Sequence, residues 1–289
     1  MSREGSTGRA LRFPATQRWP LVAGMVLLSA SAFFPLYVMA SNAFRSNLDW
    51  ADSQIGLPTT SDLAAFSRAW DGASIGSSFV NSVEIALGTV ALTLAVATMA
   101  AYSCSKIGWR PRNWVFLFLL VWIVVPPLVL LVPVYIELAS LPLLHTNLLD
   151  SKLGIVLVYT SVNLPFNVYL MTAYFRSLPD ELLEAARIDG ATIPETFAFV
   201  MVPLARPALA TLAIFNFLWA WNEFMFALFI LTSTSTKPLT VAVQQLQGRF
   251  DQDPTGLMAG LCIATLPVIG VYLIFQRHLV RAITAGVGK

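Results

Sequence analysis

The sequence predicts an all-α integral membrane protein, a bundle of six transmembrane helices with both termini in the cytoplasm. Three observations lead there. Of 289 residues, 56% are hydrophobic and only 12% charged, against roughly 25% charged in an ordinary soluble domain. The mean hydropathy of +0.69 exceeds what a globular core needs. Six stretches are each long enough to cross about 30 Å of hydrocarbon as a helix. They lie at 20–40, 79–101, 114–136, 153–175, 208–231 and 257–276, and hold two of the chain's 34 charged side chains, Glu84 and Glu223. Consecutive apolar residues such as Phe116 to Leu120 do not fit the alternating strands of a membrane barrel. Continuous helices satisfy their own backbone in lipid.

The chain divides into a cytoplasmic segment 1–19, a six-helix domain 20–276 and a cytoplasmic tail 277–289. Arg3, Arg9, Arg12 and Arg18 precede the first span, and Val38-Met39-Ala40 has the look of a weak signal-peptide cleavage site. The apolar run is longer than the usual signal core of about 7 to 15 residues, so this span is expected to stay as an uncleaved anchor. Orientation follows from the basic residues. The N-terminus, the 102–113 turn, the 176–207 loop and the tail hold 13 of the 18 Lys and Arg, which places these four on the cytoplasmic side. The external face then includes the loop from Ser41 to Ser78, with Asp49, Asp52, Asp62 and Asp71 against Arg45 and Arg68.

Pro35, Pro126, Pro127, Pro133, Pro165 and Pro267 interrupt the spans. Each removes a backbone donor and frees a carbonyl one turn earlier, which a neighbouring helix, a side chain or water must recover. Prolines are also simply commoner in membrane helices than in soluble ones. The net charge of +2 suggests no nucleic-acid partner. Cys104 and Cys262 form no C-x-x-C pair, and with His145 and His278 isolated the sequence clusters no metal ligands.

The 176–207 loop reads as two short helices. Pro179 suits a first helical turn, with Asp180, Glu181 and Glu184 near the positive end of the dipole. Gly190 ends the helix. Thr192 and Glu195 form a capping-box pattern that starts the second, where Pro194 costs no intrahelical bond. Leu182, Leu183, Ala186 and Ile188 make the first helix too apolar to stand in water, while its acidic flank is unlike the basic faces of helices that lie on lipid headgroups. A rigid knob that docks on a second protein is the expectation.

Here the chain resembles a family. Glu184-Ala185-Ala186, three residues, Gly190, nine residues, then Val200-Met201-Val202-Pro203 is similar to the EAA signature of permease subunits of binding-protein-dependent ABC importers, with valine at both aliphatic positions. Asn81-Ser82, Asp189-Gly190-Ala191, Trp221-Asn222-Glu223-Phe224 and Ile283-Thr284-Ala285-Gly286 extend the resemblance to the maltose-type carbohydrate branch. The resemblance implies a type I importer permease fold in the inner membrane of a prokaryote. It implies that Glu184, Ala185, Ala186, Asp189, Gly190 and Pro203 belong to a coupling helix seated on a cytosolic ATPase. It also makes Thr284, Ala285 and Gly286 part of a second ATPase contact. The implied partners are a paralogous permease, two ATPase subunits, an extracytoplasmic sugar-binding protein and a di- or oligosaccharide. The chain carries no G-x-x-x-x-G-K-[ST] loop and needs no cofactor of its own, so ATP and Mg would belong to the ATPase and the chain would not itself be an enzyme.

Polar groups inside the spans admit two readings. Asn163, Asn167, Asn216, Trp219 and Glu223 offer the donors, acceptors and aromatic faces a sugar path uses. The same Asn and Glu side chains serve as interhelical hydrogen-bond glue, and Trp219 as an interfacial residue. A buried charge costs about 2.5 to 3.5 kcal/mol on insertion scales, so Glu223 should face protein or water. A rival function, an ion-coupled secondary transporter with Glu84 and Glu223 as relays, leaves the cytoplasmic signature unexplained.

Overall fold

The computed structural model describes residues 15–58, 63–140, 147–248 and 253–287, without the side chains of 15–18 and 277–287. The helices are α1 Ala15–Ala43, α2 Asn47–Asp52, α3 Ala64–Gly72, α4 Ile75–Lys106, α5 Arg112–Val124, α6 Leu131–Ala139, α7 Lys152–Ser177 and α8 Glu181–Ile188. They continue as α9 Ile193–Glu195, α10 Val202–Leu204, α11 Arg206–Asn222, α12 Met225–Ile230, α13 Leu239–Gln247 and α14 Pro254–Val287, with no strand among the described residues. Residues 1–14 and 288–289 lie outside the description, and of Thr284, Ala285 and Gly286 only the helical backbone is described.

Among the described residues four helices are long and apolar enough to cross a membrane unbroken, Trp19–Ala43, Ile75–Lys106, Lys152–Ser177 and Pro254–Gln276. The stretch expected at 114–136 is broken instead. Arg112–Val124 and Pro127–Ala139 meet at 97°. Val125 and Pro126 are extended, with ψ of 120° and 124°, because each precedes a proline whose ring disfavours the α conformation. A 3₁₀ turn, Pro127–Leu130, then restarts the chain. The fifth expected stretch, 208–231, is also divided. α11 ends at Asn222, Glu223 is extended with ψ of 133°, and α12 begins at Met225.

The centre of the bundle is the α4 and α7 pair. α4 presents Ala86, Thr89, Thr93, Ala97 and Ala101, all buried, at spacings of three and four that line one face. Small side chains let backbones approach where lipid supplies no hydrophobic drive between helices. α11 and α13 pack on α4, while α1 and α3 pack on α14. None of the apolar window of α1 is buried in the chain.

One end of the bundle is stapled by polar side chains. Arg45, 3% exposed, donates to the Asn42 side chain at 3.1 Å and to the Ser53 and Asp49 carbonyls, folding residues 46–56 back over α1. Arg68 forks onto Asp253 at 2.8 and 3.1 Å and reaches Thr255 Oγ1 at 2.9 Å, tying α3 to the start of α14. Lys152 Nζ meets Glu84 Oε2 at 2.5 Å, tying α7 to α4. α4 begins at Ile75, so Glu84 stands further into its helix than a span starting at 79 implies.

Candidate functional site: a docking knob and a polar seam

The knob is built where α4 and α7 end together. Lys106, the last residue of α4, donates from Nζ to Asp180 Oδ1 at 2.5 Å and to the Leu178 carbonyl at 2.7 Å. α8 follows, with Glu181 and Glu184 in its first turn and Arg187 in its last, each complementing the helix dipole. Leu183 is buried in one cluster with Tyr102, Met171, Phe175 and Met201, and Ala186, three residues on, is 9% exposed. Tyr102 carries the contact onward, its ring centroid 5.3 Å from Phe197 and 6.2 Å from Phe175.

Gly190 ends α8 with φ of +83°. Ala191 N donates to the Ala186 carbonyl at 2.9 Å and Gly190 N to that of Arg187 at 3.0 Å, the paired bonds of a Schellman stop. The Thr192 and Glu195 capping box then starts α9, and hydrogen bonds from Thr192 hold the Glu195 carboxyl below its ordinary range. Pro194 sits at the start of α9. Pro203 cannot donate to Phe199, and the preceding turn, Thr196–Met201, widens into a π-helix. Tyr174 Oη donates to the Leu204 carbonyl at 2.9 Å and returns the segment to α7.

What remains outward is Glu184, Ala185, Asp189 and Gly190, with Ile188 87% and Ile193 55% exposed. The arrangement is an apolar stub with an acidic flank on a braced turn. Ala186, which shares the signature, faces the bundle and not the outside, because it is in register with Leu183. Pro179 lies two residues before α8 and not within its first turn. Lys106, Tyr102 and Phe197 escaped the sequence reading, since only the tertiary fold brings them under the loop.

The polar seam runs along α7 and α11. Asn167 and Asn216, 1% and 3% exposed, exchange bonds. Asn167 Nδ2 donates to Asn216 Oδ1 at 3.0 Å, and Asn216 Nδ2 to Asn167 Oδ1 at 2.7 Å. Each amide's other N–H goes to the carbonyl four residues earlier, so neither has a donor left for a substrate. Asn163 Nδ2 likewise donates to the Tyr159 carbonyl at 2.8 Å.

Glu223 does not continue the helical face of Asn216, because α11 stops one residue before it. Its Oε2 accepts from Tyr159 Oη at 2.5 Å, and its two oxygens accept the Phe226 and Ala227 N–H groups at 2.9 and 3.3 Å. The carboxylate thus caps α12 and bonds it to α7. Trp219 meets Tyr159 edge-on at 5.3 Å. Tyr159 and Asp150, which complete this seam, had no signal in the linear pattern. Asp150, with φ of +56°, accepts from Thr232 N at 2.9 Å, Ser233 N at 3.0 Å, Thr236 Oγ1 at 2.6 Å and the Ser233 hydroxyl. Among the described residues no group of three or more His, Cys, Asp or Glu could hold a metal ion.

An all-helical membrane bundle with a braced, protruding turn at one end falls in the class of membrane transport components. Residues 93–285 match the family described as the binding-protein-dependent transport system inner membrane component. The chain belongs to that family. It is 31% identical to the diacetylchitobiose uptake system permease protein NgcG of Streptomyces coelicolor, covering 91% of this chain and 86% of that one. It is 28% identical to the melibiose/raffinose/stachyose import permease protein MelC of Bacillus subtilis, covering 97% and 99%. Its fold matches a chain in a crystal structure of a bacterial ABC transporter involved in the import of the acidic polysaccharide alginate, with TM-score 0.77, 24% identity, and coverage of 93% and 99%.

Proposed function

We propose that the chain is the permease subunit of an ATP-driven importer for a di- or oligosaccharide. It spans the membrane six times with both termini inside, the second and fourth loops cytoplasmic, α5 with α6 serving as one span and α11 with α12 as another. Relatives named for the import of short sugar chains support the substrate class. The observation that carries the coupling role is the outward set Glu184, Ala185, Ile188 and Ile193 on a turn whose inner face is bolted to α4 and α7.

In this reading the knob sits in a cleft of one of two ATPase subunits, which bind ATP and Mg. Asp189 and Gly190 shape the turn, Pro203 sets the return to α11, and the tail at Thr284, Ala285 and Gly286 makes a further contact with the ATPase pair. Closure of that pair moves the loop as a rigid body and tilts α4 and α7 between outward and inward access. A companion permease completes the path, and an extracytoplasmic binding protein delivers the sugar. Asn163, Trp219 and Glu223 line the path, whereas Asn167 and Asn216 hold α7 to α11.

The test is a double replacement of Glu184 and Gly190 in the assembled transporter. Loss of uptake together with loss of ATPase co-purification is expected; survival of both would overturn the coupling role. The ion-coupled alternative predicts uptake by this chain alone and loss of proton or sodium coupling in Glu223→Gln. The structure instead bonds Glu223 to α12 and Tyr159, and Glu84 to Lys152.

A further inference from the structure

The turn before α5 gathers cations at the membrane border. Among the described residues the ion pairs are Arg68 with Asp253, Lys106 with Asp180 and Lys152 with Glu84, and none involves Arg110, Arg112 or Arg176. Arg112 donates from Nη1 to the Ile107 carbonyl at 3.3 Å. The Arg176 guanidinium lies over the Phe116 ring, 5.1 Å from its centroid. Phe116 is one helical turn along α5 from Arg112 on the same face, so the two guanidiniums lie toward one corner. Arg110, two residues before Arg112, is exposed, and Trp114, 75% exposed, has the amphipathic ring that settles at headgroup level.

An apolar cavity of about 560 Å³ lies deeper between α5, α7 and the bend into α6, its lining on α5 beginning at Phe118 and Leu119, roughly two helical turns beyond Arg112. Its walls include Leu119, Trp122, Val162, Pro165 and Phe166, and among the described residues its polar lining is Glu137 and Ser161. Arg112, Phe116, Leu119 and Ile123 follow one another at spacings of four, three and four, a stripe that leads from the cation into the cavity. Such walls offer a sugar almost nothing to hydrogen-bond, and they suit a hydrocarbon chain.

We propose that this corner and cavity bind an anionic phospholipid of the cytoplasmic leaflet, with its phosphate on Arg110, Arg112 and Arg176 and one acyl chain between α5 and α7. The leaflet rests on the orientation proposed above; the lipid preference does not. Charge complementarity selects this occupant. Each basic residue near the surface contributes roughly a factor of five in favour of an anionic headgroup, so three give about a hundredfold.

The assembled transporter in phosphatidylcholine nanodiscs would be titrated with brominated-acyl phosphatidylglycerol or brominated-acyl phosphatidylcholine. Quenching of Trp122 is read as the difference from a Trp122→Phe variant. Half-saturation is expected at about a hundredfold lower mole fraction for phosphatidylglycerol, and the Arg110→Gln, Arg112→Gln, Arg176→Gln triple variant should abolish the difference. Arg112→Gln alone, the substitution less disruptive to assembly, should shift it about fivefold. Equal quenching by the two lipids would overturn the proposal in favour of ordinary lipid solvation. No quenching by either would overturn it in favour of a protein occupant such as the companion permease. An Arg110→Cys thiol labelled only from outside would remove the cytoplasmic leaflet while leaving the lipid preference to be judged on the titration. The double replacement of Glu184 and Gly190 reads the coupling role independently of all these outcomes.

Discussion

Gly190 shows how one residue shapes the knob. A Cβ there would meet nothing within 4 Å, so the need for glycine is conformational and comes from φ of +83°. Gly190→Ala should cost about 1 to 2 kcal/mol locally. Hydrogen exchange across 181–191 is then expected to quicken roughly fivefold to thirtyfold, since 1.4 kcal/mol is about a factor of ten. Asp150 does comparable work on the opposite side. Partial burial opposes its charge, but hydrogen bonds from Ser233, Thr236 and Thr232 outweigh this and bring its pKa to about 2, against 3.8 for the free group. Because the folded value lies below the unfolded one, its contribution is present above pH 4 and fades as pH falls toward 2. Solvent around the carboxylate limits it to about 1 kcal/mol. Asp150→Asn should therefore lower the melting temperature of the solubilised transporter at pH 7, and the gap to wild type should narrow as the pH is lowered to 3.

Among the elements, α7 does the most, because it carries the Asp150 clasp at one end, the Asn163 and Asn167 amides midway and the knob at the other. The reciprocal Asn167 and Asn216 bonds join it to α11. Interhelical side-chain bonds in membranes average about 0.6 kcal/mol, since the separated helices also find partners. A double-mutant cycle of Asn167→Leu and Asn216→Leu is expected to give a coupling of about 0.6 to 1 kcal/mol in unfolding stability. The KM for sugar should stay unchanged, as befits glue; a change in KM without the coupling would return the pair to the path. The knob itself was legible as two short helices, because Gly190 and the Thr192 and Glu195 box are local signals. Which side of α8 faces the bundle was not, because Leu182 and Leu183 are equally apolar and only Tyr102, Phe175 and Met201 decide between them.

For the whole molecule, the six-span topology is the claim to test. Single cysteines at Gly108 and Asp189 should react with a membrane-impermeant thiol reagent only from inside, and those at Asp52 and Lys237 only from outside; the reverse pattern would invert the protein. Composition and apolar run length were enough to determine an all-helical membrane bundle, because the price of an unsatisfied backbone in lipid leaves little else. The glycine stop, the capping box and the signature around Glu184 were likewise readable, since each depends on residues a few positions apart. The bend at Pro126, the break at Glu223, the mutual pairing of Asn167 with Asn216, the seat of Glu223 on Tyr159 and the burial of Ala186 belong to the tertiary structure. Hydrogen bonds in the low-dielectric interior go to whichever partner the packing brings within about 3 Å, and that partner stands dozens of residues away along the chain.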